Sequence, residues 1–394
     1  MLNNHESGAV PGPVSAGGSV WKRILAVVIG AACLASAVAL LCPLLGSGER
    51  AVSGASGNTD IMAIYDQALS GQIGDALEGV IPVKREYWLS DSDLVAPEPN
   101  PEGYGQTDDP AVLAEVIAAA QPLLEGQELL FTPQISLMEG SQVVYYLDDT
   151  IFAITWKQVI DNCVYTFSEV KIAHPSQIRR FFSEGKYNAG VLRTTTEMSR
   201  SVNAVVASSG DYYEYRSFGI VVNNGQVYRH YGQLLDTLYI DENGDFLYSY
   251  AGEFREEEQV KQFVRDNKIR FSICFGPVMI RDGQCCVPQN YNSGEINSRY
   301  ARAAIGQMDK LHYVVVAANM EGSYLTVPTV AQVADNLQAM GVPNAYALDG
   351  GQTAAIVMQD QLINKVSYGS QREISDILYF ATAIPESGEK EVGK

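Results

Sequence analysis

This chain has little histidine and little positive charge. Only His5, His174, His230 and His312 occur in 394 residues. A Ser-His-Asp or Cys-His site would have to draw on the last three, and none of them sits in a supporting motif. His312 lies inside an apolar, strand-like run and reads as a satisfied structural histidine. The sequence also lacks GxSxG, HExxH, GxxxxGKS/T and GxGxxG, the usual signposts of acyl hydrolases, zinc peptidases, P-loop enzymes and dinucleotide enzymes. Lys and Arg number 27 against 46 Asp and Glu, a formal net charge of −19. Such a surface repels polyanions at long range, so no nucleic-acid partner is expected. A phosphate-bearing substrate would need a local basic pocket. No CxxC occurs, so a zinc ribbon is not suggested, and no internal repeat is found.

The first positive signal is Ile24 to Leu45, a run without charge. A helix needs about 20 apolar residues to cross ~30 Å of hydrocarbon. Lys22 and Arg23 stand before it, which places the N-terminus in the cytoplasm and the bulk outside. The alternatives are a buried helix and a cleaved signal peptide; the run is longer than the apolar core of a typical signal peptide. The expectation is a single-pass protein of the cell membrane, its C-terminal domain extracytoplasmic. Of the six cysteines, Cys33 and Cys42 lie in this span. Cys163, Cys274, Cys285 and Cys286 lie beyond it, where disulfides persist. Either Cys163 or Cys274 could pair with one of the adjacent two, or all four could be buried free thiols.

The chain divides by texture. Residues 1–23 form a Gly/Pro/Ser-rich cytoplasmic leader, 24–45 the transmembrane helix and 46–59 a flexible linker. Residues 60–142 suggest a helical stalk or small module. Ile61, Ile64, Ala68, Leu69, Ile73, Leu77 and Val80 recur at helical spacing, and a second helix is expected from Asp109, as its cap, to Leu124. From Val143 the texture is Val, Ile, Tyr and Phe broken by Asn-Gly, Asp-Gly and Asn-Asn turns, which is strand-and-hairpin texture. Helical patterns interrupt it at Pro175–Glu184, Glu256–Asn267 and Thr329–Met340. Runs of strands with a few helices predict an α+β domain over 143–384, followed by a disordered tail, 385–394.

The best local chemistry lies in Leu348-Asp349-Gly350-Gly351-Gln352-Thr353. An apolar strand ends on a carboxylate, and two glycines follow. Glycines permit positive φ and close backbone approach, so their amides could face an anion beside that carboxylate. Asp-Gly-Gly is also a common tight turn. Upstream stand Arg302-Ala303-Ala304-Ile305-Gly306, a strand from His312, and a helix stopped by Gly341 and Pro343. Earlier still are Ser209-Gly210-Asp211-Tyr212-Tyr213 and Gly276-Pro277-Val278-Met279-Ile280-Arg281-Asp282-Gly283.

These four motifs, in this order, resemble the phosphodiester glycosidase family over roughly residues 143–384. The resemblance implies hydrolysis of a sugar-1-phosphodiester at the anomeric centre, in an envelope glycan or exopolysaccharide. It implies Asp349 and Asp211 as catalytic carboxylates. Arg302 and the amides of Gly350 and Gly351 are the candidates to hold the phosphate, with Gly210, Thr353 and Glu321 in the same substrate site. Arg302 could instead serve a salt bridge, and Asp211 a turn. No metal or other cofactor motif is identified, although acidic loops could take a metal. The sequence departs from the family at Ser209 for Asn, Gln352 for Gly, Thr353 for Ser, and Ala317-Ala318-Asn319-Met320 where Val-Asp-Gly-Arg is usual. These departures leave a second reading open, a catalytically degenerate member that binds glycans or organises the envelope.

Overall fold

The computed structural model describes residues 88–90, 93–292 and 295–384. In chain order the strands are β1 (Tyr104–Thr107), β2 (Val143–Leu147), β3 (Ile151–Ile160), β4 (Cys163–Ile172), β5 (Ile178–Phe182), β6 (Val206–Ser209) and β7 (Gly219–Asn223). Then come β8 (Gln226–Tyr231), β9 (Thr237–Ile240), β10 (Phe246–Ser249), β11 (Phe271–Ile273), β12 (Val278–Arg281) and β13 (Gln284–Cys285). The last are β14 (Arg302–Asp309), β15 (His312–Asn319), β16 (Asn344–Leu348), β17 (Ile356–Met358), β18 (Gln361–Leu362) and β19 (Asp376–Phe380). The helices are α1 (Pro110–Leu124), α2 (Thr195–Ser201), α3 (Glu257–Asp266) and α4 (Val330–Ala339).

Nine strands form one sheet in the order β1-β2-β3-β4-β15-β14-β16-β12-β13. Two five-stranded sheets, β10-β9-β11-β7-β8 and β18-β17-β6-β19-β5, complete the set. Alternate side chains of the large sheet serve different cores, as strand geometry requires. Ala303, Ile305, Tyr313 and Val315 pack with Leu238, Ile273, Val206 and Phe380 of the two smaller sheets. Ala304, Val314 and Val316 pack with Leu113 and Leu124 of α1 and Val333 and Leu337 of α4. α2 covers the outer face of the β6 sheet and α3 that of the β9 sheet. The result is four layers, helix, sheet, paired sheets, helix. Burial on both faces is why β15 reads His-Tyr-Val-Val-Val-Ala-Ala-Asn without polar alternation.

Turn chemistry closes the hairpins. Asn224 and Gly225 between β7 and β8, and Asp282 and Gly283 between β12 and β13, all adopt positive φ. Both central residues of a tight hairpin turn need that conformation, and Asn-Gly and Asp-Gly adopt it at low cost.

The expectation of an α+β domain on a helical stalk is corrected. The described chain is mostly β, with four short helices. The region before Val143 contributes an edge strand, β1, paired antiparallel with β2 from Tyr104↔Tyr146 to Thr107↔Val143. Asp109 does cap α1, accepting from the Ala111 amide at 2.9 Å. The apolar face of α1 docks on the large sheet, however, rather than standing free. Burying a leucine is worth about 1.5–3 kcal/mol, so Leu113 and Leu124 make α1 part of the core. The helical pattern at Pro175–Glu184 is also corrected: after a 3-10 turn, Pro175–Gln177, this stretch is strand β5. Its five residues are all buried, and a strand covered on both faces has no period-2 signal to separate it from a helix.

The transmembrane expectation for 24–45, the helical pattern of 61–80 and the tail 385–394 lie outside the described residues. Among the described residues no helix is long and apolar enough to cross a membrane. Cys163 and Cys274 are buried, Cys285 and Cys286 exposed, and all four are free.

Candidate active site

The three sheets bring strand ends to one place. β6 of one small sheet ends at Ser209, β11 of the other at Ile273, and β16 of the large sheet at Leu348. The residues that follow are Gly210-Asp211, Cys274-Phe275-Gly276 and Asp349-Gly350. Hydrogen bonds tie the ends together. The Ser209 hydroxyl donates to the Asp349 carbonyl at 2.9 Å, and the Cys274 amide donates to Asp211 Oδ2 at 2.9 Å. A tyrosine scaffold fixes the β11 end. Tyr346 Oη accepts from the Phe275 amide and donates to the Asp236 carbonyl, at 2.9 and 2.7 Å.

Asp211 is fully buried and saturated. Arg216 Nη2 donates to its Oδ1, and Arg180 Nη2 lies 3.6 Å from its Oδ2. Its backbone N–H donates to Asp376 Oδ1 at 2.9 Å, and Arg180 Nε donates to Asp376 Oδ2 at 2.6 Å. Two carboxylates and two guanidiniums therefore form one network. Burial pushes the Asp376 carboxyl up, and neighbouring Asp211 adds to this, while Arg180 opposes it. Gly210 is where Asp376 closes in: a Cβ there would stand 2.7 Å from Asp376 Oδ2. No side chain larger than hydrogen fits.

Asp349 is different. Burial pushes its carboxyl up to about 7, against the Thr353 hydroxyl, Arg372 and Arg216, which favour the charged form. Its Oδ2 is buried and makes no hydrogen bond among the described residues, and the same holds for Arg216 Nη1. Arg216 and Asp349 are near enough to act on each other electrostatically. Leaving such groups unpaired costs about 1–3 kcal/mol each, more when charged. That is the pattern of a site awaiting a polar ligand rather than of a finished core.

The remaining sequence candidates fall as follows. Arg302 Nη2 donates to the Glu295 and Ser298 carbonyls at 3.0 and 2.6 Å, and burial pushes its pKa down to about 10. Its side chain thus pins the 295–298 loop, though it also lines a small cleft with Phe275, Gly276 and Leu348. The Gly351 amide donates to the Ala301 carbonyl at 2.7 Å and is not aimed at a ligand. Gly351 has φ +67°, and a Cβ on Gly350 would stand 2.7 Å from that same carbonyl. The pair is needed for conformation and close approach. Thr353 Oγ1 donates to the Gly350 carbonyl at 2.6 Å. Glu321 is engaged elsewhere, with Lys157 Nζ at 2.5 Å. Asn319, at a departure from the family pattern, is buried and accepts from Asn364 Nδ2 at 2.9 Å.

Sequence reasoning missed Arg180, Arg216, Asp376 and the part played by Arg372. One signal was available. Arg179 and Arg180 are adjacent in an apolar strand, and neighbours in a strand face opposite ways, so a buried Arg was implied. Among the described residues no group of His, Cys, Asp and Glu could hold a metal ion.

Residues 202–381 match the family model of phosphodiester glycosidase. Over this segment the chain therefore resembles that family, as the four motifs indicate. A curated relative, the SPbeta prophage-derived uncharacterized protein YomE of Bacillus subtilis (strain 168), is 26% identical over 109 residues. That is 28% of this chain but only 17% of the relative's length. Among solved structures, the zebrafish N-acetylglucosamine-1-phosphodiester alpha-N-acetylglucosaminidase catalytic domain, auto-inhibited by its pro-peptide, is 15% identical with a TM-score of 0.48. The alignment covers 66% of this chain and 93% of that one. A hypothetical protein from Synechocystis is 13% identical with a TM-score of 0.41, over 62% of this chain and 66% of that one.

Proposed function

We propose that the protein hydrolyses a sugar-1-phosphodiester within an envelope glycan or exopolysaccharide. The observation that carries this reading is that two buried groups of the converging strand ends, Arg216 Nη1 and Asp349 Oδ2, are each left without a hydrogen-bond partner among the described residues. The guanidinium takes a phosphate oxygen, in a charge-assisted bond about twice as strong as a neutral one. The leaving phosphate is already a stable anion, so the site needs no strong general acid. Asp349, with a carboxyl near neutrality, is placed to take the proton of the attacking water or to face the developing oxocarbenium centre. Asp211 acts through Arg216. Its two oxygens are spent on Arg216, Arg180 and the Cys274 amide, so it positions the phosphate-holding guanidinium and does not itself meet substrate. Asp376 and Arg180 hold Asp211 in turn.

The degenerate-member reading rested on Asn319-Met320. Ala318 and Met320 stand where the family pattern carries Asp and Arg, and in the hydrolase reading Asp349 and Arg216 supply the carboxylate and the cation instead. The test is incubation of the full chain with a panel of sugar-1-phosphodiesters, following release of sugar and phosphomonoester. Turnover is expected on at least one, and Arg216→Met should lower kcat/KM by about a hundredfold, the typical loss for a preorganised charge contact in a transition state. Sugar phosphate bound with no turnover on any of them would transfer the protein to the binding class.

A further inference from the structure

Six tyrosines are substantially exposed among the described residues, and three of them, Tyr215, Tyr300 and Tyr368, surround the candidate site. Tyr215 stacks on Tyr212, with ring centroids 4.6 Å apart and planes at 13°. Tyr212 follows Asp211 directly. The Arg372 guanidinium lies 4.5 Å from the Tyr215 centroid and 5.5 Å from that of Tyr212. On the glycine side, Tyr300 precedes Ala301, whose carbonyl receives the Gly351 amide. Tyr368 is 92% exposed and close enough to Tyr300 to act on its hydroxyl. The loop that bears Tyr368 is held at both ends of this arc. Ser370 accepts from Gln352 Nε2 at 3.0 Å, and the Glu373 carbonyl accepts from Tyr215 Oη at 2.9 Å.

Tyr368 is costly where it stands. It gains no burial, and its φ of +60° is a conformation that aromatic residues rarely adopt. Held backbone outliers of this kind gather at ligand sites. Single exposed aromatics are ordinary, but several gathered on the loops around one site are not. The chemistry that suits it is a pyranose ring. The axial hydrogens of a sugar face are apolar and slightly positive, and they lie on the negative face of an aromatic ring. Arg372 supplies donors for the sugar hydroxyls beside that face.

We infer that Tyr212, Tyr215, Arg372, Tyr300 and Tyr368 form a glycan-binding rim that seats neutral sugar units flanking the scissile phosphodiester. The substrate class is then an oligosaccharide or polymer, not an isolated sugar phosphate. This rests on the hydrolase reading for the word scissile, but sugar binding is measured without turnover, so the two can fail separately.

The experiment is titration of the full chain with three neutral hexasaccharides, of β-1,4-N-acetylglucosamine, β-1,4-glucose and α-1,4-glucose, by calorimetry or protein NMR. At least one is expected to bind. For that glycan, Tyr368→Ala and Tyr215→Ala should each raise Kd roughly three- to tenfold, the range for losing one aromatic face. Tyr231→Ala, at an exposed tyrosine on β8 outside the rim, should leave Kd unchanged. Melting temperatures confirm that each variant folds. Binding that survives both rim substitutions undiminished, or no binding to any of the three, overturns the rim. Binding by a protein that turns over no phosphodiester supports the rim and removes the hydrolase reading.

Discussion

Two buried carboxylates, Glu169 and Asp349, sit in the same nine-stranded sheet and its loops, with opposite fates. Glu169 is in mid-strand on β4. Its Oε1 accepts from the Leu130 amide at 2.8 Å and lies 2.9 Å from His312 Nε2, and its Oε2 accepts from the Phe131 amide at 3.0 Å. Every acceptor is used, and the use is structural: the carboxylate fastens the segment after α1 onto the sheet. The bare atom there, His312 Nδ1, is an acceptor lone pair when the ring proton faces Glu169. Asp349 stands at a strand end and leaves Oδ2 empty. Burial alone therefore does not mark a reactive acid. Burial with an acceptor left unpaired, within the electrostatic reach of a cation that also has an unpaired donor, does.

The largest expected effect breaks the comparison on the Asp349 side. Asp349→Asn keeps shape and loses charge. Turnover should fall by about two orders of magnitude or more, equivalent to roughly 2.7 kcal/mol in the barrier. Stability should not fall, and its pH dependence should change in a defined direction. A carboxyl at about 7 when folded and about 4 when unfolded binds more protons in the folded state. Its stabilisation is full below about pH 4 and is lost as pH rises to about 7. Urea unfolding across that window should decline less steeply in the variant than in the wild type. Undiminished turnover in a folded Asp349→Asn protein would remove the catalytic assignment.

On the other side, Glu169→Gln offers an amide where three donors need acceptors. One N–H is left facing an NH2 group. The expected loss is about 2 kcal/mol of folding stability, read by urea denaturation, with kcat unchanged at temperatures where the variant is folded. A fall in kcat matching that of Asp349→Asn would mean that Glu169 belongs to the site and that saturation does not separate the two classes.

The same contrast explains what was legible in the sequence. His312 could be assigned to the core because its neighbours are apolar on both sides, a property of the strand itself. Asp349 could be singled out because a strand, a carboxylate and two glycines are consecutive. Hairpins were legible at Asn224-Gly225 and Asp282-Gly283 because the turn residues carry their own conformational demand. Arg216, Arg180 and Asp376 could not be assembled, since they approach Asp211 from a loop and from β5 and β19, strands remote in sequence that come beside β6 only in the folded five-stranded sheet. The stalk was misread for the converse reason. The pattern of α1 shows that one face must be covered and does not say by what. The partners of Arg302 were not legible, because its motif marks a family position while its Nη2 donates to two carbonyls of a loop whose path no pattern reveals.

The smallest effect tests the join between the two small motifs. The Ser209 hydroxyl is fully buried and donates to the Asp349 carbonyl, linking the ends of β6 and β16. Its contact is with the backbone of Asp349, not with the carboxyl group. Ser209→Ala removes one neutral hydrogen bond and leaves that carbonyl short of a partner, a cost of about 1 kcal/mol. The Asp349 side chain itself is untouched. Turnover should fall less than tenfold, because the strand end is also held by the Gly351 amide on the Ala301 carbonyl at 2.7 Å. KM and kcat measured with the best substrate of the panel, beside urea denaturation, separate the two losses. If kcat drops as far as in Asp349→Asn while stability is kept, the hydroxyl touches the reacting group. Ser209 would then take over a substrate contact at the position where the family carries Asn.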